Sequence, residues 1–534
     1  MADRLTQAMS REHRQGRHLA VAYLDLDGFK AINDRHGHAA GDQLLIAVAR
    51  RMKEVMREED TLSRLGGDEF VAVVLDLDSE AAATALFERL LEAAALPVHV
   101  DGHELAVTAS LGMTFYPQAE PIEADQLLRQ ADQAMYQAKL AGKGRYLLFD
   151  ADYDRSIRSH HETLERIQHG LRRSEFILHY QPKVNMRTGQ VIGAEALVRW
   201  QHPERGLLLP AQFLPVIEEH PLSEALGEWV VGAALAQAAA WKALGIELPV
   251  SVNVSARQLR QRDLVPRLKR LLDEHPELTP DMLELEILET STLGDLALVS
   301  GLLEGCREIG IQVSLDDFGT GYSSLTYLKR LPAGTVKIDQ SFVRDILDDP
   351  EDLKILDGVL RLASAFDRQV IAEGVESVQH GDMLLRVGCE LAQGYGIARP
   401  MPPEAIPDWL GDWRPPAQWA GLPTIDHVSR PLLYAAVEHR DWARRLAATL
   451  MSENPERPPL DPSRCNFCFW LDQLREPLGP AIERLDRLHR QVHGLAAELC
   501  ALQDHGQGEQ AVERLPELYA RRDALLEEIE RLLG

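Results

Sequence analysis

The sequence predicts a mixed α/β protein: an α/β domain, then a (β/α) barrel, then a small helical bundle. Three observations carry this expectation. Strand-like and helix-like runs alternate over residues 19 to 149, eight short apolar strands recur between helical stretches from 177 to 400, and the end of the chain to Gly534 is charged and helical. At 534 residues the chain is too long for one core, and ordinary domain sizes suggest roughly three.

In the first part, LAVAYLDLD (19 to 27) reads as a strand and GDQLLIAVARRMKEVMR (41 to 57) as an amphipathic helix. RLGGDEFVAVVLD (64 to 76) reads as a hairpin turning at its glycine pair, HELAVTASLGMTFY as one strand and ADQLLRQADQAMYQAKLAG as a helix. This bounds a domain at 1–150, with the polar, helix-prone 151–175 as connector. The barrel strands are ILHYQP, VIGAEALVRW, LPVSVNVS, MLELEILE, IQVSLDDFG, TVKIDQ, RQVIAEGVE and LAQGYGIA, placing the barrel at 176–403. The Pro- and Trp-rich stretch ends it, giving a linker at 404–424 and a bundle at 425–534.

With 57 basic and 83 acidic side chains the formal charge is −26, which excludes a general phosphate-backbone binder, so no DNA partner is expected. Local sites with divalent metals remain open to nucleotides. The N-terminal MADRLTQAMSREHRQGR lacks the apolar core of a signal peptide. The most apolar run, Leu226 to Ile246, carries Glu228, Gln237 and Lys242 and reads as a buried helix, so no membrane span is expected. Five scattered cysteines fit a reducing compartment, and the expected location is cytoplasmic.

In a barrel of this kind the polar residues at the C-terminal strand ends form the site. Here they are Gln181, Glu195, Asn253, Glu286, Asp316, Asp317, Lys337, Glu373, Glu376 and Gln393. An isolated Asp pair is commonly a solvated loop. Acids at successive strand ends with an Asn and a Lys would leave unpaired buried charge without a cation. Oxygen-rich ligation suits Mg²⁺ or Mn²⁺, and two such ions can activate water and stabilise a phosphodiester under attack.

GAEALVRW, SVNVS, ELEILE, SLDDFGTGYSSL, TVKIDQSF, IAEGVE and AQGYGIARPMP, in this order, resemble the EAL family of cyclic di-GMP phosphodiesterases, a TIM-like barrel. The resemblance implies Glu195, Asn253, Glu286 and Asp316 as metal ligands, with Asp317 on the second ion. It implies that Lys337 positions or deprotonates the attacking water and that Glu373 supports it. Arg199 would meet a substrate phosphate, Gln181, Leu197 and Gln393 would line the pocket, and Glu289 would brace the loop of glycines and serines after Asp317. One departure is Leu288, where the family commonly has Thr; the expected effect is on loop support.

In the first domain, Asp25 ends a strand opposite Asp68 and Glu69 on the hairpin, and such carboxylates can bracket a metal-bound triphosphate. YLDLDGFKAIND, GHAAGD and RLGGDEF resemble the GGDEF diguanylate cyclase family, with a nucleotide-cyclase-like fold. That resemblance implies Asp25 and Asp68 as metal ligands, Asn33 and Asp42 as readers of the guanine edge, Glu69 as helper in deprotonating the attacking hydroxyl, and Lys139 and Lys143 on phosphates of GTP. Arg57 and Asp60 form the RxxD pattern of an inhibitory cyclic di-GMP site, though a helix-end ion pair gives the same letters. The chain starts at MADRLTQAMSREH, without the family's DxLTGLxNR segment, so the domain is expected to be either a cyclase or a GTP-binding module that tunes the barrel. Cyclisation of two GTP molecules implies a homodimer.

In the tail, His489 and His493 are four apart and lie on one helix face, and Cys465 and His439 would complete a four-ligand Zn²⁺ site. HxxW, CxxxxW and HxxxH resemble the chemoreceptor zinc-binding (CZB) family, with Cys468 as a competing thiol and His427 as an alternative to His439. The implied protein hydrolyses cyclic di-GMP to linear pGpG, handles GTP in its first domain and responds to zinc. The alternative is a catalytically silent nucleotide receptor or scaffold with a zinc-sensing tail, against which stands the retention of the acids in both motif sets.

Overall fold

The computed structural model describes all residues except 78, 119–120, 290–295, 320–324, 452–456, 466, 469–470, 472–478 and 534. The chain divides into two compact units, Met1–Glu162 and Thr163–Gly534.

The first unit is built on β1 (His18–Asp27), β2 (Thr61–Gly66), β3 (Glu69–Leu77), a small ribbon of β4 (Val98–Val100) and β5 (His103–Leu105), β6 (Thr108–Tyr116) and β7 (Tyr146–Leu148). The main sheet runs β2-β3-β1-β6-β7. β1 is nearly all apolar because both its faces are covered. Ala20, Ala22, Leu24 and Leu26 pack toward the helices His38–Val55 and Glu80–Ala95, while Leu19 and Val21 pack with Leu5 and Met9 and with Leu127 and Ala131 of the helix Ala124–Leu140. The single strand expected over HELAVTASLGMTFY is two, because His103–Leu105 pairs with β4 and Thr108–Tyr116 pairs with β1. The connector is the helix Ala151–Arg172, within which the unit boundary falls.

The second unit contains β8 (Phe176–Asn185), β9 (Val191–His202), β10 (Gly206–Leu208), β11 (Val250–Val254), β12 (Leu283–Leu288), β13 (Gln312–Phe318), β14 (Thr335–Ile338), β15 (Gln369–Ala372) and β16 (Leu391–Ala392). Eight of them close a TIM-like barrel, from β9 through β11 to β16, then β8 and back to β9, with β10 a short flap on β9. β8 runs antiparallel to both its barrel neighbours. The physical reason is its connection: only a short turn separates Asn185 from Val191, which allows a hairpin, whereas a parallel partner needs a crossover of about a dozen residues. The apolar run near Leu226 is the barrel helix Leu222–Ala243, with Val231, Leu235, Ala238 and Trp241 in the core. Among the described residues, no helix is long and apolar enough to cross a membrane.

The helices Arg430–Leu450, Ala481–Asp504 and Leu515–Leu533 form a bundle around Leu446, Leu485, Leu495 and Leu525. The bundle is not separate from the barrel. Ile425, Leu433 and Val437 share a core with Val343, Leu353, Leu356 and Leu384. The stretch 404–424 is packed rather than free: Trp419 is buried and its indole donates to the Val378 carbonyl at 3.2 Å, and Trp413 donates to Gly189 at 3.0 Å.

Candidate functional site

Strand register decides which side chains meet in the barrel. Gln181 lies opposite Glu195, Ser251 beside Glu195, and Asn253 and Ser314 on either side of Glu286. Between Leu315 and Phe318 the β13–β14 register shifts, and Asp317 takes a left-handed φ of 52°. A bulge of this kind re-aims side chains, and holding a non-glycine residue there costs on the order of 1 kcal/mol. It turns Asp316 and Asp317 toward neighbouring partners.

The outcome is a buried acidic basin. Ligand oxygens of Glu195, Glu286 and Asp316 lie within 4.8 Å of one another, and so do those of Asp316, Asp317 and Glu373. Asp316 belongs to both groups. Lys337, fully buried on β14, sets its ammonium 2.5 Å from Glu373, 2.8 Å from Glu286, 3.1 Å from Asp316 and 3.4 Å from Glu195. One lysine cannot neutralise this many carboxylates. Burial, then Glu286, raises the Glu195 carboxyl; burial also raises Asp316 and Glu373. Burial, then Asp316, pushes Asp317 up to about 6. Burial acts against the charge of Glu286 too, but Lys337 and Lys183 outweigh it and hold this carboxyl low. An acid-lined basin in which Glu195, Asp316, Asp317 and Glu373 resist ionisation fits a divalent cation with oxygen ligands.

Asn253 donates to Glu195 at 2.8 Å, and Gln393 donates to Glu195 at 2.8 Å and to Gln181 at 3.0 Å. Arg199, on β9, is mostly buried and donates to the Val198 carbonyl at 2.9 Å. Two cavities flank the basin. One of about 450 Å³ is mainly apolar, with Leu197, Leu214, Asn253 and Leu288 on its wall; the other, about 200 Å³, is bordered by Gln181, Glu195, Glu373, Glu376 and Gln393. Glu289 accepts the Gly319 N–H at 3.2 Å, which places it beneath the start of the loop; residues 320–324 of that loop lie outside the described residues.

In the first unit, Asp25 pairs with Glu69 across β1 and β3, and Asp68 adjoins at the turn. Lys139 occupies the Asp25 carboxylate at 2.7 Å, and Tyr23 donates to Glu69 at 2.9 Å. Among the described residues, Asn33 Oδ1 is buried without a hydrogen-bond partner, held over Gly41, where a Cβ would stand 1.9 Å from it. Asp42 and Lys143 are exposed. Asp60 is buried, and its carboxylate accepts the backbone N–H of Arg57 at 2.9 Å and of Leu75 at 3.2 Å, while the Arg57 side chain is exposed. The RxxD letters here include a carboxylate that caps a turn.

In the tail, ligand atoms of His439, Cys465, His489 and His493 lie within 4.8 Å of one another. His439 Nδ1 is 2.8 Å from the Ala435 carbonyl and His493 Nδ1 is 2.9 Å from that of Leu460, which fixes both tautomers with Nε2 as the free lone pair. Among the described residues, the Nε2 atoms of His489 and His493 are buried without a hydrogen-bond partner. Burial holds His439 down at about 4 and pushes the Cys465 thiol up to about 12. Neutral imidazoles aimed at a thiol with no counter-charge fit Zn²⁺, which supplies that charge. Cys468 lies 3.9 Å from His489 Nδ1, and His427 is 2.5 Å from Arg361, outside the cluster.

Sequence reasoning missed Lys183, Ser251 and Tyr23. Lys183 and Ser251 sit inside barrel strands rather than at their ends, and the signal available was a lone Lys in the otherwise apolar stretch YQPKV.

Residues 164–400 match the EAL domain family, 1–145 the diguanylate cyclase GGDEF domain family, and 439–500 the chemoreceptor zinc-binding domain family. The bifunctional diguanylate cyclase/cyclic di-GMP phosphodiesterase MucR of Pseudomonas aeruginosa is 40% identical over 405 residues, 76% of this chain and 59% of that protein. The cyclic di-GMP phosphodiesterase PdeR of Escherichia coli is 37% identical over 410 residues, 77% of this chain and 61% of that protein. A solved structure of the PaMucR phosphodiesterase in a c-di-GMP complex is 40% identical, covering 46% of this chain and 99% of its own, with a TM-score of 0.44. The chain thus spans between half and two thirds of the length of these curated relatives.

Proposed function

The chain carries a GGDEF domain, an EAL domain and a chemoreceptor zinc-binding domain, and from that premise we propose that its barrel hydrolyses cyclic di-GMP to linear pGpG. The observation that carries this is the shared Asp316: two overlapping acidic groups, one with Glu195 and Glu286 and one with Asp317 and Glu373, make adjacent places for two Mg²⁺ or Mn²⁺ ions. Such ions supply Lewis acidity toward the phosphodiester and lower the pKa of water.

The chain's own residues do the rest. Lys337, held protonated because the surrounding acids outweigh its burial, donates to and orients the attacking water. Glu373, 2.5 Å from that ammonium and with a raised carboxyl, is placed to hold a proton. The water oxygen bonds phosphorus as its proton passes to Glu373, the bond from phosphorus to the 3′ oxygen breaks, that oxygen takes up a proton from solvent, and the ring opens. Arg199 faces a phosphate, the apolar cavity by Leu197 and Leu288 accepts a base, and Gln181 and Gln393 orient Glu195 and line the smaller cavity. Purified protein should consume cyclic di-GMP with either ion, and Glu195→Ala should abolish this. No turnover with either ion, or full turnover in the variant, refutes the reading.

The first domain binds GTP, with Asn33 Oδ1 as the unpartnered acceptor for guanine N–H groups. Two such domains, in a homodimer, form cyclic di-GMP once Lys139 leaves Asp25 for a phosphate. Product from GTP in a Lys337→Ala background, lost on Asp68→Ala, separates synthesis from binding alone. The tail binds zinc through His439, Cys465, His489 and His493 and regulates the phosphodiesterase, supported by the core that the His439 helix shares with the barrel. Metal analysis without zinc, or zinc retained in a Cys465→Ala and His493→Ala double variant, refutes that part.

A further inference from the structure

Beneath the acidic basin lies a second buried polar layer. Lys183, on β8, is 3% exposed; its ammonium donates to Ser251 Oγ at 3.1 Å, to Glu284 at short range and to Glu286 Oε1 at 3.4 Å. The other oxygen of that carboxylate, Glu286 Oε2, faces Lys337 at 2.8 Å. Glu286 is therefore gripped from both ends, by one lysine in the basin and one below it, with the Ser251 hydroxyl as a further donor. The lysine has a built slot: at Gly193 a Cβ would press its Cε at 3.4 Å and the Pro249 carbonyl at 3.0 Å.

A lysine serving only its own neutralisation needs one partner, and Glu284 provides it. The remaining donors are spent on Ser251 and on Glu286. Charge explains the arrangement. In the basin, Lys337 is shared among four carboxylates. A second ammonium reaching the far oxygen of Glu286 fixes that carboxylate's rotation without taking a place in the basin. Groups that orient a ligand from behind characteristically alter metal affinity about 10- to 100-fold when removed.

We propose that Lys183 is a positioning residue that acts through Glu286, holding its carboxylate oriented for divalent-ion binding in the barrel. This rests on the phosphodiesterase reading above.

The test is Mn²⁺ binding by the full-length protein, followed by calorimetry and by the Mn²⁺ paramagnetic signal, alongside kcat and KM for cyclic di-GMP. Glu195→Ala identifies the barrel's share of the binding. Because Lys183→Met alone strands Glu284 and risks misfolding, the decisive variant is the neutral pair Lys183→Met with Glu284→Gln, checked for an unchanged thermal midpoint. The expected result is a folded protein whose barrel Mn²⁺ Kd rises about 10- to 100-fold, with kcat lowered at subsaturating metal and largely restored at high Mn²⁺. Glu284→Gln alone should leave metal affinity within about twofold, since Lys183 and Glu286 remain. An unchanged Kd in the double variant, or the full loss in Glu284→Gln alone, overturns the proposal. If the parent itself shows neither barrel Mn²⁺ binding nor hydrolysis, the phosphodiesterase reading falls and takes this one with it; if the parent shows both and the double variant equals it, this inference fails alone.

Discussion

Asp357→Ala should release the zinc-binding helix from the barrel. Asp357 lies on the barrel helix Pro350–Ala365 with its side chain 4% exposed. It receives Arg361 at 2.5 Å and, from the helix Arg430–Leu450, Arg430 and Tyr434 at short range. Arg430 is 14% exposed, so removing its partner leaves a nearly buried cation, a loss of about 3 kcal/mol. Loss of the Tyr434 hydroxyl's hydrogen bond to this carboxylate adds about 1 kcal/mol. Arg361, at 42% exposure, returns to water and contributes less than about 1 kcal/mol. The expected total is about 4 kcal/mol, or roughly a thousandfold loss of protection. Native-state hydrogen exchange on the amides of Leu433 to Glu438 reads this local opening without assuming that the whole chain unfolds at once. Arg361→Ala should lower protection less than about fivefold. A drop below about tenfold in Asp357→Ala would refute the clamp, and a zinc effect on the phosphodiesterase that survives a full loss of protection would refute the route assigned to it.

Three further outcomes follow from the geometry. Cys468→Ala should keep its zinc while Cys465→Ala loses it, by metal analysis after gel filtration, because Cys465 belongs to the four-residue group and Cys468 does not. Gly41→Ala should weaken GTP binding about tenfold or more by displacing Asn33, since the new Cβ meets Asn33 Oδ1 at 1.9 Å; equal GTP affinity would remove Asn33 from the guanine site. Asp317 takes its proton more readily when folded, at about 6 against 3.8, so the unfolded chain releases that proton first as pH rises. In chelator, its contribution to stability is thus present below about pH 4 and lost as pH rises to about 6, by about 1–2 kcal/mol after allowing for its half-exposure. Thermal midpoints of Asp317→Asn minus the parent should therefore increase across that interval, and a flat difference would contradict the assignment.

Much of this protein is set by local sequence. The apolar strands and amphipathic helices declare themselves by period, and the acids at strand ends announce a cation site because burial of that much like charge needs an explanation. The proposed zinc site is legible in part for a different reason, since His489 and His493 share a helix face wherever the helix goes.

What the tertiary structure alone decided are matters of register and neighbourhood. Nothing local in GAEALVRW or SLDDFGTGYSSL says that Asp316 belongs to two acidic groups at once; that depends on a register shift between β13 and β14. Lys183 looks like an ordinary strand lysine until closure of the barrel puts it beneath Glu286, more than a hundred residues away. Asp60 reads as half of a ligand pattern, and only the fold shows that its carboxylate also accepts two amides. Likewise, only the fold shows that Leu433 and Val437 of the helix carrying His439 share a core with Leu353, Leu356 and Leu384. Periodicity reports which face of an element is apolar; only the packed chain determines what that face, and each charge beside it, finally meets.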